Sequence, residues 1–256
     1  MSEALPTGCA AIDELLGGGI ARGVVTQVYG PPAAGKTNLA LSAAVEAAAG
    51  GQSVLYVDTE GLSIDRFEQL ASARAEATDG NNSGPDPDPD PREQGTGDGD
   101  EAGEAVEDLA SRIVITDALD FAEQEEAVRD AAELAEQVSL VVLDSATGHY
   151  RLERSDEDEG ETLRAVARQI THLLSLARKH DLAVLITNQV YTDPDADRVR
   201  PLGGHTLAHW SGVVLRVERF RGGQRRATLE KHESRPAGER ARFRITDTGL
   251  EAVEDF

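Results

Sequence analysis

Apolar residues along this 256-residue chain come in two arrangements: short unbroken runs, and longer stretches where they recur every three or four positions. Unbroken runs of this kind read as buried strands, and the recurrent spacing reads as amphipathic helices. The runs occupy residues 24–29 (VVTQVY), 53–57 (SVLYV), 112–116 (RIVIT), 140–143 (LVVL) and 182–187 (LAVLIT). The spacing of Ala11, Ile12, Leu15 and Leu16 predicts a short helix stopped by Gly17, Gly18 and Gly19, and longer helices are predicted over 38–49, 64–77, 123–137 and 162–180. Apolar strands alternating with helices specify an α/β fold around a twisted, mostly parallel sheet flanked by helices. The last third has a different period. Residues 213–219, 225–231 and 240–246 alternate apolar with charged positions, which predicts half-exposed antiparallel strands and a β-rich C-terminal part.

Two stretches break the pattern. Residues 79–104 collapse into Gly, Pro, Asp and Glu without apolar periodicity. Alternating Asp-Pro supports neither helix nor sheet ladder and buries nothing to offset its ordering entropy, so a disordered acidic insertion is expected inside one domain spanning 1–256. Residues 190–201 (VYTDPDADRVRP) read as a mobile polar loop hanging from the strand at 182–187. His172 and His180 are placed on the surface of the 162–180 helix, since no other Cys or His lies at metal-ligand spacing.

Composition adds a solvent and a partner. The formal charge is −22, from 47 acidic and 25 basic residues, and lysine occurs only at 36, 179 and 231. Such an acidic, lysine-poor surface resembles proteins of salt-loving organisms, where screening removes the self-repulsion of so charged a fold. Between residues 205 and 245 the balance inverts, with ten Arg or Lys against four acids, a net of +6. That window reads as a polyanion-binding face or, equally, as strand faces solvated by arginine. The single Cys9 excludes an internal disulfide framework. No leader or long apolar run is present, so a cytoplasmic location and no membrane partner are expected.

The candidate chemistry lies just after the first strand. Residues 30–37 (GPPAAGKT) fit G-x-x-x-x-G-K-[ST], a loop whose backbone N–H groups and following helix N-terminus wrap nucleotide phosphates. The cofactor candidates are ATP with magnesium, held by Gly30, Pro31, Pro32, Ala33, Ala34, Gly35, Lys36, Thr37 and Asn38. Lys36 would reach the β- and γ-phosphates, and the Thr37 hydroxyl would ligate the metal. Asp144, which ends the 140–143 run, fits the Walker B position and joins Thr37 as a metal candidate. Asp58 and Glu60 close the second strand, at the end where open α/β sheets present ligands.

The order of motifs resembles the recombinase branch of the RecA-like ATPases, and within it the archaeal RadB proteins. The resemblance is carried by TGCAAIDELLGGGI, YGPPAAGKT, YVDTEG, LVVLDSATGHYR, ITNQV, LGGHTLAHWSG and KHESRPAGERARFRITDTGL, which are spaced along the whole folded chain apart from the acidic insertion. It implies a RecA-like P-loop ATPase core. It also implies roles: Glu60 positions or activates the attacking water, with Lys36 and Gln189 as its catalytic partners. Gln189 senses the γ-phosphate and relays it to residues 190–202, which occupy the place of the DNA-binding loop. Arg198 and Arg200 are the cations of that loop, and with Arg225 and Arg226 of the basic window they are the DNA-contact candidates. The implied activity is that of an ATP- and DNA-binding accessory protein of homologous recombination and DNA repair, a weak DNA-dependent ATPase assisting a RadA-type recombinase. Single-stranded DNA is the first expected partner, double-stranded DNA the second, and a homo-oligomer is compatible with the pattern. The alternatives are a DNA-dependent ATPase with strand exchange of its own, a RecA-like nucleotide-sensing regulator, and a small-molecule kinase. Two departures from the family pattern matter. The full recombinase carries an N-terminal helical domain and a Phe anchor where this chain starts almost at the core, so a self-sufficient filament by that route is not expected. Lys231 stands where some relatives present paired basic fingers, but the second position is Glu233.

Overall fold

The computed structural model describes residues 3–82, 98–149, 159–193 and 198–253. In chain order they form α1 (Ala10–Leu16), β1 (Val25–Tyr29), α2 (Lys36–Ala49), β2 (Val54–Asp58), α3 (Ile64–Asn82), α4 (Asp98–Ala110), β3 (Ile113–Asp117), α5 (Phe121–Leu134) and β4 (Leu140–Asp144). Then follow α6 (Glu159–His180), β5 (Ala183–Asn188), β6 (Val190–Asp193), β7 (Arg198–Pro201), α7 (Gly204–Trp210), β8 (Val213–Arg219), β9 (Arg225–Lys231), β10 (Arg240–Thr246) and β11 (Gly249–Ala252). The main sheet has nine strands in the order β11-β10-β9-β8-β1-β5-β4-β2-β3. From β8 to β3 neighbouring strands are parallel, and β9, β10 and β11 extend the β8 side antiparallel.

Helices cover both faces. Ile12, Leu39, Tyr56, Leu109 and Phe243 belong to the core beneath α1 to α4. Val128, Ile170, Leu173 and Leu207 belong to the core beneath α5, α6 and α7. Strands β1, β2, β4 and β5 are buried at every position, because a strand covered on both faces has no solvent side for polar residues. Helix α1 has only seven residues and would not persist alone. Burying Ile12, Leu15 and Leu16 stabilises it by about 1.5–3 kcal/mol each.

The structure departs from the sequence reading in four places. Strand β8 pairs antiparallel with β9, as expected, but it also pairs parallel with β1 (Thr26↔Val213 to Tyr29↔Arg216), and its first three residues are buried rather than half exposed. The reason is α7, which the sequence reading missed: this helix carries the chain across to begin a parallel strand, as parallel pairing requires. The loop expected over 190–201 is an antiparallel ribbon of β6 with β7, Val190 facing Pro201 and Asp193 facing Arg198. Val190, Tyr191, Thr192 and Val199 are β-formers that outweigh the turn residues between them. The acidic stretch begins and ends inside helices, since α3 runs to Asn82 and α4 starts at Asp98. Helix α4 is held by Val106 and Leu109, apolar residues that follow the acidic composition; residues 83–97 lie outside the described residues. Strand β11 was also missed, being only four residues long.

Candidate functional site

The loop between β1 and α2 opens at the C-terminal end of the parallel strands. A Cβ on Gly30 would stand 1.9 Å from the Val217 carbonyl oxygen of β8, so nothing larger than glycine fits. Gly35 has φ +104°, and a Cβ there would meet Ile245 Cδ1 of β10 at 2.7 Å. Both glycines hold the loop against the β8 to β10 wing. Helix α2 starts at Lys36, two residues earlier than the apolar spacing suggests, which puts Lys36 and Thr37 in its first turn. The Lys36 ammonium folds back onto the Gly30 and Pro31 carbonyl oxygens at 3.0 and 3.3 Å. Burial pushes its pKa below the ordinary lysine value, against the pull of Glu60 and Asp144. Asn38 faces sideways, accepting from Arg66 Nε at 2.9 Å.

Across the loop, Asp144 ends β4 almost completely buried. Its carboxylate accepts hydrogen bonds from the hydroxyls of Thr187 on β5, Tyr56 on β2 (2.9 Å) and Thr37 on α2. Lost hydration raises its pKa, and the three hydroxyls hold that rise back. Asp58 and Glu60 divide their tasks. Asp58 folds the turn, accepting from the backbone N–H groups of Glu60, Gly61 and Leu62. Glu60 is exposed on the site side, and its Oε1 accepts from Ser145 Oγ at 2.7 Å and from Gln189 Nε2 at 2.6 Å. Gln189 therefore joins the Glu60 carboxylate to the start of the ribbon. The ribbon base is closed by Leu202 N–H to the Gln189 carbonyl (2.9 Å) and by Asn188 Nδ2 to the Leu202 carbonyl (2.9 Å).

The residues fit ATP with magnesium. The glycine cradle, the lysine and the helix N-terminus suit a polyphosphate, and Thr37 with Asp144 offers hard oxygen ligands. Among the described residues no group of three or more His, Cys, Asp or Glu side chains could hold a metal.

The Rad51 family pattern matches residues 101–253, and the RecA N-terminal domain pattern matches residues 1–71. The "DNA repair and recombination protein RadB" of Halobacterium salinarum is 58% identical over 252 residues, covering 97% of this chain and 95% of that protein. The chain belongs to the RadB family of DNA repair and recombination proteins. A Pyrococcus abyssi RadB is 39% identical over 97% of this chain and 94% of its own length. A solved structure described as the RadB recombinase superposes with a TM-score of 0.75 at 36% identity, covering 98% of this chain and 100% of that one. The fold is thus RecA-like, as the motif order implied. The salt-adapted composition agrees with the Halobacterium relative.

In this RadB-family chain the arginines proposed for DNA lie on two elements, β7 and β9. Arg198 and Arg200 lie on β7 of the ribbon, in register with Asp193 and Tyr191. Arg225 and Arg226 are neighbours on β9 and therefore point to opposite faces of the sheet. Arg226 pairs with Glu218, its Nε at 2.6 Å, and lies 5.0 Å from the Phe220 ring centroid, with Arg242 4.9 Å from the same centroid. Arg225 turns the other way, toward Gly35. Lys231 donates to the carbonyl oxygens of Ala208 (2.9 Å), His209 (3.3 Å) and Ser211 (2.7 Å), so its ammonium caps the end of α7. Next to it, Trp210 is 39% exposed with its ring edge-on to His209 at 5.0 Å. His172 is only partly exposed, and its Nε2 is buried. No helix among the described residues is long and apolar enough to cross a membrane.

Sequence reasoning missed Tyr56, Thr187 and Ser145 around Asp144 and Glu60. The signal was present for two of them: a tyrosine and a threonine inside otherwise apolar strands, each one needing a buried partner for its hydroxyl. Ser145 and Arg66 carried no signal that spacing could separate from ordinary surface polarity.

Proposed function

We propose that this chain is an ATP- and DNA-binding accessory protein of homologous recombination, which hydrolyses ATP weakly and assists a RadA-type recombinase. The observation that carries the reading is the Glu60–Gln189 hydrogen bond, because it joins the phosphate end of the site to the base of the β6–β7 ribbon. Lys36 and the loop N–H groups would bind the phosphates, and Thr37 and Asp144 would hold magnesium, which when bound neutralises charge between the β- and γ-phosphates. Glu60 Oε1 is engaged by Ser145 and Gln189, which leaves Oε2 to orient a water and accept its proton. A γ-phosphate that takes Gln189 from Glu60 would shift Leu202 and the ribbon through the Gln189 carbonyl, and so alter how Arg198 and Arg200 meet a DNA backbone. Weak turnover is supported by Glu233, which stands where a second basic finger would be needed, with Lys231 engaged at the end of α7.

The test is ATP hydrolysis with and without single-stranded DNA in molar potassium salt. Slow turnover that DNA raises is expected. Turnover indifferent to DNA but raised by a small-molecule phosphate acceptor would replace the reading with a kinase.

A further inference from the structure

Strand β9 sends Arg225 to the face shared with Ala227 and Leu229, the face covered by α1 and α2. In register it stands opposite Phe243 of β10, two residues and so one same-face step from Ile245, the residue that closes on Gly35. Arg225 Nε lies 4.0 Å from where a Cβ on Gly35 would be, at the N-terminus of α2. Its guanidinium is braced from one side: Nη1 donates to the Gly223 carbonyl at 2.6 Å and to the Gln224 carbonyl at 3.4 Å. The other edge is unused. Nε is buried without a hydrogen-bond partner, and no carboxylate among the described residues pairs with Arg225, whereas Arg216 has Glu230 and Arg226 has Glu218. A buried donor left unsatisfied costs stability unless some state of the protein supplies an acceptor. The Nε and Nη2 edge is the one that makes two-pronged contacts with phosphate oxygens.

We infer that Arg225 is a second cationic contact for the nucleotide, reaching its phosphate chain from the β9–β10 flank, opposite Asp144 and Glu60. The inference rests on the proposed nucleotide site. It adds a second protein cation, beside Lys36, to a site that holds Asp144, Glu60 and the phosphates. Arg225 thereby leaves the DNA surface and becomes a nucleotide-affinity residue.

The experiment measures binding of ATP, ADP and AMP by titration calorimetry, without DNA and in high salt, for the parent, Lys36→Ala, Arg225→Ala and Arg225→Lys, each with a thermal unfolding curve. Arg225→Ala is expected to weaken ATP and ADP about 10- to 100-fold, the scale of one charge-assisted hydrogen bond, and AMP less. Arg225→Lys, which keeps the charge and loses the fork, should fall between and guards against a folding defect in the alanine variant. DNA binding by nucleotide-free Arg225→Ala should match the parent. Parent-like ATP affinity in both Arg225 variants, alongside its loss in Lys36→Ala, would overturn the inference and leave the nucleotide site standing. Loss of DNA binding with ATP affinity intact would return Arg225 to the DNA surface. A parent that binds no nucleotide would overturn both.

Discussion

Burial fixes the chemistry of Asp144 before any ligand arrives. Its carboxyl holds a proton more tightly in the folded chain than in the unfolded one, because desolvation penalises the anion more than Thr187, Tyr56 and Thr37 stabilise it. Its contribution to stability is therefore fully present below the unfolded value of about 3.9 and is lost as pH rises through the higher folded value. Magnesium needs the anion, so the metal-dependent part of ATP affinity should fall on acidification while still above the ordinary carboxylate range. Titrating ATP with and without magnesium from pH 4 to 8 checks this, and Asp144→Asn should flatten the difference. Lys36 and Glu60 separate binding from turnover. Lys36→Ala removes the phosphate-facing cation and should lower both. Glu60→Gln cannot take the water's proton but keeps an oxygen for Ser145, so it should bind ATP and lose most residual hydrolysis. If ATP labels a state rather than driving work, Glu60→Gln restores survival after double-strand breaks in cells lacking the native protein and Lys36→Ala does not. Equal failure of the two would show that hydrolysis is needed.

At the scale of elements, the β6–β7 ribbon carries the DNA hypothesis. Replacing Arg198 and Arg200 by Ala should weaken DNA binding by a similar factor for different sequences and lower the log–log salt slope by roughly 0.7–0.9 per lost phosphate contact. Binding measured on three unrelated oligonucleotides over a salt series decides it, and parent-like affinity would make the ribbon arginines mere solvation. Residues 83–97 (SGPDPDPDPREQGTG) contain no aliphatic side chain beyond proline, so their replacement by a short Gly-Ser linker should leave the unfolding midpoint unchanged at matched salt. Elements that bury an unbroken apolar run were legible in the sequence to within a residue or two: β1, β2, β4 and β5 carry their fold information locally. Strand β8 was legible to the residue, but its parallel pairing with β1 was not, because Val213 to Arg219 alternates like an edge strand and only its neighbours decide the direction of pairing; helix α7 was missed. The site followed the same rule. Gly30 to Thr37 and Asp144 announce themselves by type and spacing, while the opposite directions of Arg225 and Arg226 depend on which face of β9 is covered.

For the whole molecule, charge sets the working conditions. At −22 the surface repels itself, and lowering salt lengthens the range of that repulsion. Stability should therefore rise with potassium chloride, whereas DNA affinity should fall over the same range through counterion release. Thermal unfolding and DNA binding followed in one salt series check both slopes, and parallel slopes would contradict this assignment of charge. The chain has one tryptophan, Trp210, at the far end of α7 from the ribbon base at Leu202, half open to water and against the His209 ring. That position makes it a native optical reporter. A movement that begins when Gln189 changes partner and passes through Leu202 into α7 would alter the water contact of a single indole, so emission should change on adding ATP to unlabelled protein and stay flat in Gln189→Ala.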